Sequence, residues 1–336
     1  MGHEVHFFEK DVPYYRVRRD FERCDYCALT LYPDWETVRG LALACAKESD
    51  VVITASYLPQ GQRICDEILE LDGPLRVFYD LDTPITLENM KNGGVEYIGA
   101  SQIPAFDLVL SFTGGLSLQA LQQDYGARLV RALHGCVDPE VYARADPSPE
   151  FACELSYMGT FAADRQSRLE ELFLEPARRC PDRKFLLAGP LYPAKWRWPG
   201  NISKIEHVSP HDHPRFYSSS RITLNITRGE MARNGWCPSG RLFEAAACGT
   251  PLITDPWEGL DSFLDSKRDL RVVATSADVE EALSLPHDEL RVLAQNARER
   301  TLREHTGEVR AAQLLRYLEE ARSKSALPMA SGERAS

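Results

Sequence analysis

Short apolar runs rich in β-branched and aromatic residues alternate along this chain with longer amphipathic stretches, and no other feature constrains the fold as strongly. The alternation is typical of parallel strands joined by crossover helices, because such strands are buried on both faces. In the first half, strands are predicted at residues 4–8, 51–55, 75–79, 108–111 and 129–133, and in the second at 155–158, 185–188, 202–207, 222–226, 251–254 and 271–274. Helices are predicted at 35–47, 60–71, 116–125, 164–179, 213–219, 241–247, 290–304 and 306–324.

A proline-rich segment interrupts this alternation near the middle of the chain. Pro139, Pro147 and Pro149 disfavour both a helix and a central strand there. The interruption predicts a linker between two doubly wound α/β domains, at residues 1–140 and 141–305. Residues 306–324 would form a last helix able to return to the first domain, and 325–336 a disordered tail. A single compact domain also fits the length.

The start of the chain departs from the usual doubly wound pattern. Gly2 and His3 lead directly into a predicted strand, whereas such domains usually begin with a strand, a glycine-rich turn and a helix. Either the first domain lacks its first βα unit, or the chain is an N-terminally shortened version of a longer one.

Charge and hydropathy exclude several classes of function. A formal net charge of -11 argues against a broad surface for nucleic acid or an anionic membrane, since both need clustered Lys and Arg. No apolar run reaches the roughly 18 residues that a membrane-spanning helix needs, and the first residues do not resemble a signal peptide. We therefore expect a cytoplasmic protein without a transmembrane segment and without a nucleic-acid partner.

The cysteines point to the same compartment. The chain has nine, an odd number, scattered mostly in apolar surroundings, which is typical of a reduced intracellular protein. Cys24 and Cys27 form a single C-x-x-C pair without a second pair at zinc-site spacing. We interpret the pair as structural or incidental, with a metal or redox role as the alternative.

The most informative stretch for chemistry is residues 235–255. Ser239 and Gly240 precede a helix of small residues, and the unpaired N–H groups and positive dipole at a helix start suit a diphosphate. Arg241 adds a fork of donors. Glu244 lies three residues further on the same face and can accept two hydrogen bonds from a ribose diol. The alternative is a surface ion pair between Arg241 and Glu244 on an ordinary helix.

The same stretch resembles a known family. The sequence FEAAACGTPLI at 243–253 is similar to the donor-binding helix and following strand of family-1-type glycosyltransferases with the GT-B fold. Pro238, Ser239, Arg241 and Leu242 narrow the resemblance to the bacterial CgeB-like, spore-maturation-type group. Further motifs match in the same order along nearly the whole chain, at residues 2–8, 78–84, 110–115, 158–160 and 188–190.

The resemblance implies a GT-B-like α/β fold in which two Rossmann-like, doubly wound domains face a cleft, the first lacking its usual first βα unit. It implies a hexosyltransferase-like enzyme that transfers a sugar from a nucleotide-diphosphate sugar, bound by the second domain, to an acceptor bound by the first. The acceptor would be a polysaccharide, a protein or a small molecule. The nucleotide sugar is a co-substrate, and neither a cofactor nor a metal is expected.

Further donor-binding residues are expected where strands of the second half end. By the resemblance, Gly159 and Thr160 let the chain approach the donor phosphates, with Arg165 as a phosphate partner. Asn225 and Arg228 follow another predicted strand, and ligands of open α/β sheets collect at such carboxyl ends. Ordinary βα turns with polar caps are the alternative at each place.

In the first half, Asp80 and Asp82 follow a predicted strand and would point to opposite faces. One could orient an acceptor hydroxyl or take its proton while the other caps the next helix. With Arg241 they are the predicted catalytic residues, although both could be plain turn residues. Their D-x-D spacing also fits a metal-binding pair, as do His211 and His213, but we expect a metal at neither place.

One position departs from the wider superfamily. A glutamate often stands eight residues before the second one, and here that position is Trp236. The sugar contact would then be absent or supplied by Asn234, Gly235 or another group. The departure leaves two other functions open: a non-catalytic nucleotide-sugar sensor or scaffold with the same fold, and a GT-B-type sugar epimerase.

Overall fold

The computed structural model describes residues 2–16, 25–193 and 195–325, so Cys24 and residues 326–336 of the predicted tail lie outside the described residues. The chain folds into two compact units. Unit 1 comprises Met1–Phe112, Ser117–Leu133 and Leu314–Ser336, and unit 2 comprises Thr113–Leu116 and His134–Gln313. The change of unit at His134 precedes the domain boundary expected between residues 140 and 141, because the Val137 amide already donates to the His305 carbonyl of unit 2.

The strands of unit 1 are all parallel to their neighbours. They are β1 (His6–Lys10), β2 (Ala28–Tyr32), β3 (Val51–Ala55), β4 (Leu75–Asp80), β5 (Leu108–Ser111) and β6 (Val130–Ala132). The order of the four-stranded sheet is β3-β4-β5-β6, and β1 and β2 form a separate pair. All four residues of β5 are buried, as expected for a strand covered on both faces.

The helices of unit 1 are α1 (Pro13–Arg16), α2 (Trp35–Glu48), α3 (Gly61–Leu69), α4 (Thr83–Lys91) and α5 (Leu116–Gln123). The first residue of α5, Leu116, still belongs to unit 2, and the rest of the helix belongs to unit 1. Asp34 begins α2, and its side chain accepts a hydrogen bond from the Thr37 amide. The last helix of the chain, α13 (Gly307–Ser325), returns to unit 1 at Leu314. Leu318 and Ala321 pack there with Leu75 and Leu108.

Unit 2 is built on a six-stranded parallel sheet. Its strands are β7 (Cys153–Met158), β8 (Phe185–Ala188), β9 (Ile202–Ile205), β10 (Ser220–Asn225), β11 (Leu252–Thr254) and β12 (Arg271–Val272). The spatial order is β9-β8-β7-β10-β11-β12, which counted within the unit is 3-2-1-4-5-6, the doubly wound dinucleotide-binding order. The direction of winding therefore reverses between β7 and β10.

The helices of unit 2 are α6 (Gln166–Leu169), α7 (Glu175–Arg179), α8 (His213–Ser219), α9 (Gly229–Asn234), α10 (Gly240–Ala247), α11 (Ser276–Ser284) and α12 (His287–Glu304). A π-turn at Glu170–Leu174 separates α6 from α7 within the single helix predicted at 164–179. Pro176 explains the interruption, because its missing N–H removes one bond of the regular helical ladder.

Helix α10 ends as its sequence predicts. Gly249 adopts φ +71°, and its amide donates to the Ala246 carbonyl at 2.9 Å while the Thr250 amide reaches Ala245 at 3.1 Å. This is the Schellman pattern, and it needs glycine because L-residues are strained at that φ. The helix is therefore stopped sharply, and β11 follows directly.

No helix within the described ranges is both long and apolar enough to cross a membrane.

Candidate functional site

Polar side chains collect where β7 and β10 end, at the reversal point of the unit 2 sheet. Gly159 comes directly after β7, and Asn225 is the last residue of β10. The two strands are hydrogen-bonded neighbours in parallel, so their carboxyl ends lie at the same edge. A crevice at this place is the usual ligand site of doubly wound sheets. The structure thus brings the predicted Gly159 and Asn225 segments together.

Arg241 reaches this edge from the first turn of α10. Its Nη1 atom lies 3.3 Å from Asn225 Oδ1 and 3.4 Å from Ser239 Oγ, and its guanidinium carbon lies 5.9 Å from the centre of the Tyr157 ring. Asn225 is fully buried and donates to Thr254 Oγ1 at 3.0 Å, so its acceptor oxygen is fixed toward Arg241. Asn225 and Ser239 therefore orient the guanidinium.

Glu244 lies one turn later and does not pair with Arg241. Its Oε2 atom accepts a hydrogen bond from Tyr217, whose hydroxyl lies 3.2 Å away. Burial and the Glu244 charge together raise the pKa of Tyr217. The tyrosine thus remains a neutral donor. Among the described residues neither Arg241 nor Glu244 forms an ion pair, which excludes the simple surface pair as their explanation.

The start of α10 is open. The side chain of Ser239 makes no capping hydrogen bond, so the first N–H groups of the helix have no side-chain partner there. A Cβ at Gly240 would lie 3.7 Å from Glu244 Oε1, and glycine leaves that space free. The helix start and one oxygen of Glu244 are therefore accessible to a ligand.

The turn after β7 is packed so closely that only glycine fits. A Cβ on Gly159 would lie 2.6 Å from the Tyr157 hydroxyl, and one on Gly189 would lie 2.1 Å from the Gly159 carbonyl oxygen. Tyr192 donates to that same carbonyl oxygen at 2.9 Å. Three neighbouring segments therefore hold the Gly159–Thr160 backbone in one position.

Arg165 lies beside this turn and adds a second guanidinium. Its Nη2 atom donates to the Thr160 carbonyl at 2.9 Å, while its Nε is buried and has no acceptor. Burial raises the pKa of Tyr192, whereas the charges of Arg165 and Arg241 both oppose that rise. Arg165 also lies beside Gly159, where a Cβ would be 3.3 Å from its Nη1 atom and 2.6 Å from the Tyr157 hydroxyl. In the described part of the chain, Arg165 has no carboxylate partner either.

A pocket of about 630 Å³ opens next to this turn. Its size is that of an ordinary small-molecule site. Arg228 also lines it, but its Nε lies 3.3 Å from Asp164 Oδ2, so its charge is partly balanced. The lining residues are Thr160, Phe161, Ala162, Ala163, Asp164, Arg165, Arg228 and Glu230.

Trp236 occupies the position of the missing glutamate and has a packing role in unit 2. Its backbone adopts φ +45°, a rare conformation for a bulky residue. The Trp236 amide donates to the Glu258 carbonyl at 2.6 Å, and its carbonyl accepts from the Gly114 amide at 2.9 Å. Cβ atoms on Gly114 or Gly259 would lie 2.8 Å and 2.6 Å from the tryptophan side chain. The side-chain amide of Asn234 donates to the Gly114 and Gly235 carbonyls.

Asp80 and Asp82 lie in unit 1, in very different surroundings. Asp80 is buried; its Oδ1 accepts from Thr86 Oγ1 at 2.9 Å and from the Asp82 amide at 3.2 Å, while its Oδ2 has no partner. Burial raises the pKa of Asp80 to about 6. Asp82 precedes α4, but its side chain makes no capping bond and instead accepts from the Tyr57 hydroxyl at 2.6 Å. Asp82 thus stands at the N-cap position of α4 without a capping hydrogen bond from its side chain.

The metal hypotheses concerned two pairs, Asp80 with Asp82 and His211 with His213. Within the described ranges no group of three or more His, Cys, Asp and Glu side chains is arranged to hold a metal ion. His213 Nδ1 lies 3.2 Å from the Tyr142 hydroxyl, and burial lowers the pKa of its ring.

Sequence reasoning missed the tyrosines of this site. Tyr157, Tyr192 and Tyr217 contact or surround the predicted Gly159, Arg241 and Glu244. Each lies in an apolar segment, so the sequence predicts that each is an ordinary residue of the hydrophobic core. Only the position of Tyr157, two residues before Gly159, offered a signal.

A family model described as glycosyl transferase-like matches residues 165–316, so this region is a glycosyltransferase-like domain. Among curated proteins, none matches the chain by sequence.

Solved glycosyltransferase structures are similar over almost the whole chain. Sucrose-phosphate synthase from Thermosynechococcus elongatus superposes with a TM-score of 0.68 at 13% identity, covering 95% of this chain and 89% of that one. HepE from Anabaena, in complex with UDP-glucose, gives 0.63 at 10% identity, covering 94% and 99%. The UDP-forming α,α-trehalose-phosphate synthase from Burkholderia vietnamiensis gives 0.61 at 13% identity, covering 87% and 77%. The chain has the GT-B fold, as its sequence predicted.

Proposed function

We propose that this chain transfers a sugar from a UDP-sugar to an acceptor hydroxyl, as a member of the CgeB-like group. The observation that carries the proposal is the pair of guanidiniums of Arg165 and Arg241 at the reversal point of the unit 2 sheet. Both lack a carboxylate partner among the described residues. Arg241 lies 5.9 Å from the centre of the Tyr157 ring, and Arg165 lies beside Gly159, which the same tyrosine contacts. Two such cations beside an open helix start form a site for a diphosphate.

Each predicted donor residue has a role in this site. The amide of Thr160 and the start of α10 at Ser239 and Gly240 offer N–H groups to the diphosphate, and Gly159, whose own amide donates to Ala188, lets the ligand approach the backbone closely. Arg228 lines the neighbouring pocket, and Asn225 orients Arg241. Glu244, with one oxygen held by Tyr217, accepts from the ribose diol with the other. Uridine is the proposed base because the similar HepE structure holds UDP-glucose.

Catalysis depends on charge that develops on the leaving diphosphate. Arg241 and Arg165 are already oriented, so they stabilise that charge without reorganisation and without a metal ion. Asp80, whose pKa is raised to about 6, is the proposed acceptor of the hydroxyl proton. Asp82 would orient the same hydroxyl.

The test is a pair of substitutions at the donor site. Glu244→Ala should weaken UDP binding at least tenfold, because the ribose loses its carboxylate. Arg241→Ala should lower kcat for UDP release from UDP-glucose by about a hundredfold. Removing one preoriented hydrogen-bond donor to the charge of the transition state typically lowers kcat by a factor of that order. Calorimetric titration and coupled UDP detection measure the two effects.

Matched controls lie on exposed helical faces of the same unit, at Arg291 in α12 and Glu281 in α11. Arg291→Ala and Glu281→Ala should leave both measurements unchanged. If UDP titrates equally well into all four variants, the assignment of the donor site is wrong.

A second candidate function is a non-catalytic UDP-sugar sensor. Trp236 favours it, because a tryptophan packed against Gly114 and Gly259 stands where the superfamily often has a sugar-binding glutamate. A sensor binds UDP-glucose but releases no UDP with any acceptor. Stoichiometric binding without turnover would therefore favour the sensor over the transferase.

A further inference from the structure

A loop rich in aromatic residues follows β8, at the same edge of the unit 2 sheet as the turn after β7. Strands β7 and β8 are hydrogen-bonded neighbours in parallel, so their carboxyl ends lie side by side. Tyr192 stands in this loop, and its hydroxyl donates to the Gly159 carbonyl at 2.9 Å. The loop therefore contacts the backbone of the donor site directly.

The peptide between Gly159 and Thr160 is the group that this hydrogen bond orients. A trans peptide is planar, and its C=O and N–H point in opposite directions. Because Tyr192 holds the Gly159 carbonyl on one side, the Thr160 N–H points to the other. Thr160 lines the pocket of about 630 Å³ beside this turn. The direction of one N–H at the candidate diphosphate site thus depends on the Tyr192 hydroxyl.

Glycine at position 159 makes such an orienting contact necessary. A Cβ there would lie 2.6 Å from the Tyr157 hydroxyl, so the close packing requires glycine. The same lack of a Cβ leaves the adjoining peptide more conformational freedom than any other residue would. If that peptide turned over, its carbonyl oxygen would face the phosphates, which have only acceptor atoms to offer it. The Tyr192 hydrogen bond stabilises the orientation that presents the N–H.

Neighbouring groups hold the Tyr192 hydroxyl in place. The ring centre of Tyr192 lies 5.8 Å from that of Phe161 and 5.7 Å from that of Trp198. The Phe161 amide donates to the Pro190 carbonyl at 3.0 Å, which joins the turn to the loop a second time. Burial raises the pKa of Tyr192, and its interaction with Tyr157, which includes a hydrogen bond, raises it further. The hydroxyl is therefore a neutral donor with little freedom to move.

Tyr192 also belongs to a chain of contacts that reaches both guanidiniums. Its hydrogen-bond partner Tyr157 has its ring centre 5.9 Å from the guanidinium carbon of Arg241. Arg165 Nη2 donates to the Thr160 carbonyl at 2.9 Å, so the next peptide of the turn is held as well. The two cations and the Thr160 N–H therefore have fixed positions relative to one another.

We propose that Tyr192 is a positioning residue for the diphosphate: by holding the Gly159 carbonyl, it aims the Thr160 N–H at the ligand. The inference rests on the proposed function. The hydroxyl acts through the peptide and takes no part in the bond changes. A donor oriented in advance stabilises the charge that grows on the leaving diphosphate without reorganisation. The effect of Tyr192 should therefore be confined to ligands that carry phosphates.

The first test uses the full chain with Tyr192→Phe, which removes the hydroxyl and keeps the ring among its aromatic neighbours. The affinity for UDP, measured by calorimetric titration, should fall about tenfold, the effect of roughly one hydrogen bond to a charged group. The affinity for uridine, measured by ligand-observed NMR titration, should stay unchanged, because uridine has no phosphate. A general loosening of the site would weaken both ligands.

The second test observes the N–H itself. In the unmodified chain, UDP should move the amide proton resonance of Thr160 downfield, as a new hydrogen bond to a phosphate oxygen does, and uridine should not. In Tyr192→Phe the shift caused by UDP should be smaller. A Thr160 resonance that does not respond to UDP would overturn the inference.

The pH dependence separates positioning from proton transfer. Because the pKa of Tyr192 is raised, its hydroxyl stays protonated at pH 7 and at pH 9. The loss in UDP affinity and in kcat for UDP release from UDP-glucose should therefore be the same at both pH values. A loss confined to one of them would show that Tyr192 titrates during the reaction, contrary to the proposal.

Tyr79→Phe is the matched control. The Tyr79 hydroxyl also donates to a backbone carbonyl, that of Leu133 at 2.7 Å, but in unit 1. This variant should keep the affinities for UDP and uridine. Unchanged UDP affinity in Tyr192→Phe, or equal losses for UDP and uridine, would overturn the inference and leave the proposed function standing. Absence of UDP binding by the unmodified chain would overturn the proposed function itself.

Discussion

At the scale of single residues, burying the charged carboxylate of Asp80 lowers the free energy of unfolding. Its folded pKa of about 6 lies above the ordinary value of 3.8 because of burial. Between those two pH values the folded chain keeps a proton that the unfolded chain has lost, so stability falls as the pH rises through this window. Above it the cost is about 3 kcal/mol.

Asp80→Asn should therefore stabilise unit 1 at pH 8 by up to about 3 kcal/mol and should have little effect at pH 4. The amide can still accept from Thr86, and it carries no charge. The same variant should lose sugar transfer, because the proton acceptor is gone. Urea unfolding at the two pH values and UDP release measure the two effects.

Asp124→Asn is the matched control, since Asp124 is exposed in the same unit. It should change neither stability nor transfer. An Asp80→Asn variant that is equally destabilised at both pH values would contradict this account of the carboxylate.

At the scale of elements, the turn after β7 depends on glycine. Gly159→Ala would place a Cβ 2.6 Å from the Tyr157 hydroxyl and 3.3 Å from Arg165 Nη1, so both side chains must move. We expect a loss of about 1–3 kcal/mol in stability, as for other overpacked sites, and a weaker affinity for UDP. Thermal unfolding and titration with UDP measure these changes.

Gly200→Ala tests whether the effect is specific to that turn. Nothing lies within 4 Å of a Cβ at Gly200, so this variant should keep its unfolding temperature and its affinity. Equal effects of the two substitutions would show that close packing around Gly159 is not the cause.

The elements that sequence predicts best are those with apolar runs buried on both faces. The strands at Val51–Ala55, Leu108–Ser111 and Phe185–Ala188 have the predicted bounds. Helix α4 was missed because its buried face carries Thr83 and Thr86, which bond Ser111 and Asp80. A polar buried face removes the apolar periodicity on which such predictions rest.

Other missed elements had weaker or overlooked signals. Helix α11 begins with a capping box of Thr275 and Asp278, a signature visible in the sequence. Strand β2, Ala28–Tyr32, is short and follows residues outside the described ranges.

The candidate site was predictable through Arg241, Glu244 and Gly159. Its tyrosines were not, since a tyrosine in an apolar run shows its hydrogen-bond partner only in the fold.

At the scale of the whole molecule, each unit contains a buried titratable group, and lowering the pH changes the stability of the two units in opposite directions. His305 of unit 2 stacks on Phe243 at 4.3 Å, and its ring nitrogens contact the Phe263 carbonyl and Arg310. Burial lowers the pKa of His305 to about 4. In the unfolded chain the histidine binds a proton below about pH 6.5, whereas in the folded chain it stays neutral down to about pH 4. The free energy of unfolding of unit 2 is therefore unaffected by this group above pH 6.5 and falls as the pH is lowered toward 4.

Acid should therefore weaken unit 2 by about 3 kcal/mol through His305, whereas Asp80 strengthens unit 1 in an overlapping window. Amide hydrogen exchange at pH 7 and pH 4.5, corrected for intrinsic rates, measures the two units separately. His305→Gln should flatten the pH dependence of unit 2, because a glutamine can keep both hydrogen bonds without titrating. An unchanged dependence in that variant would exclude His305 as its source.

The return of α13 to unit 1 has a consequence for the order in which the protein is made. Leu318 and Ala321 complete the apolar cluster that contains Leu75 and Leu108. A ribosome synthesises those two leucines long before it reaches Leu318 and Ala321, which cover them. The sheet of unit 2 ends at Val272, so all its strands emerge before that cover exists. All strands of unit 2 are therefore synthesised between the unit 1 sheet and its helical cover, so unit 2 can finish folding while one face of the earlier sheet is still uncovered.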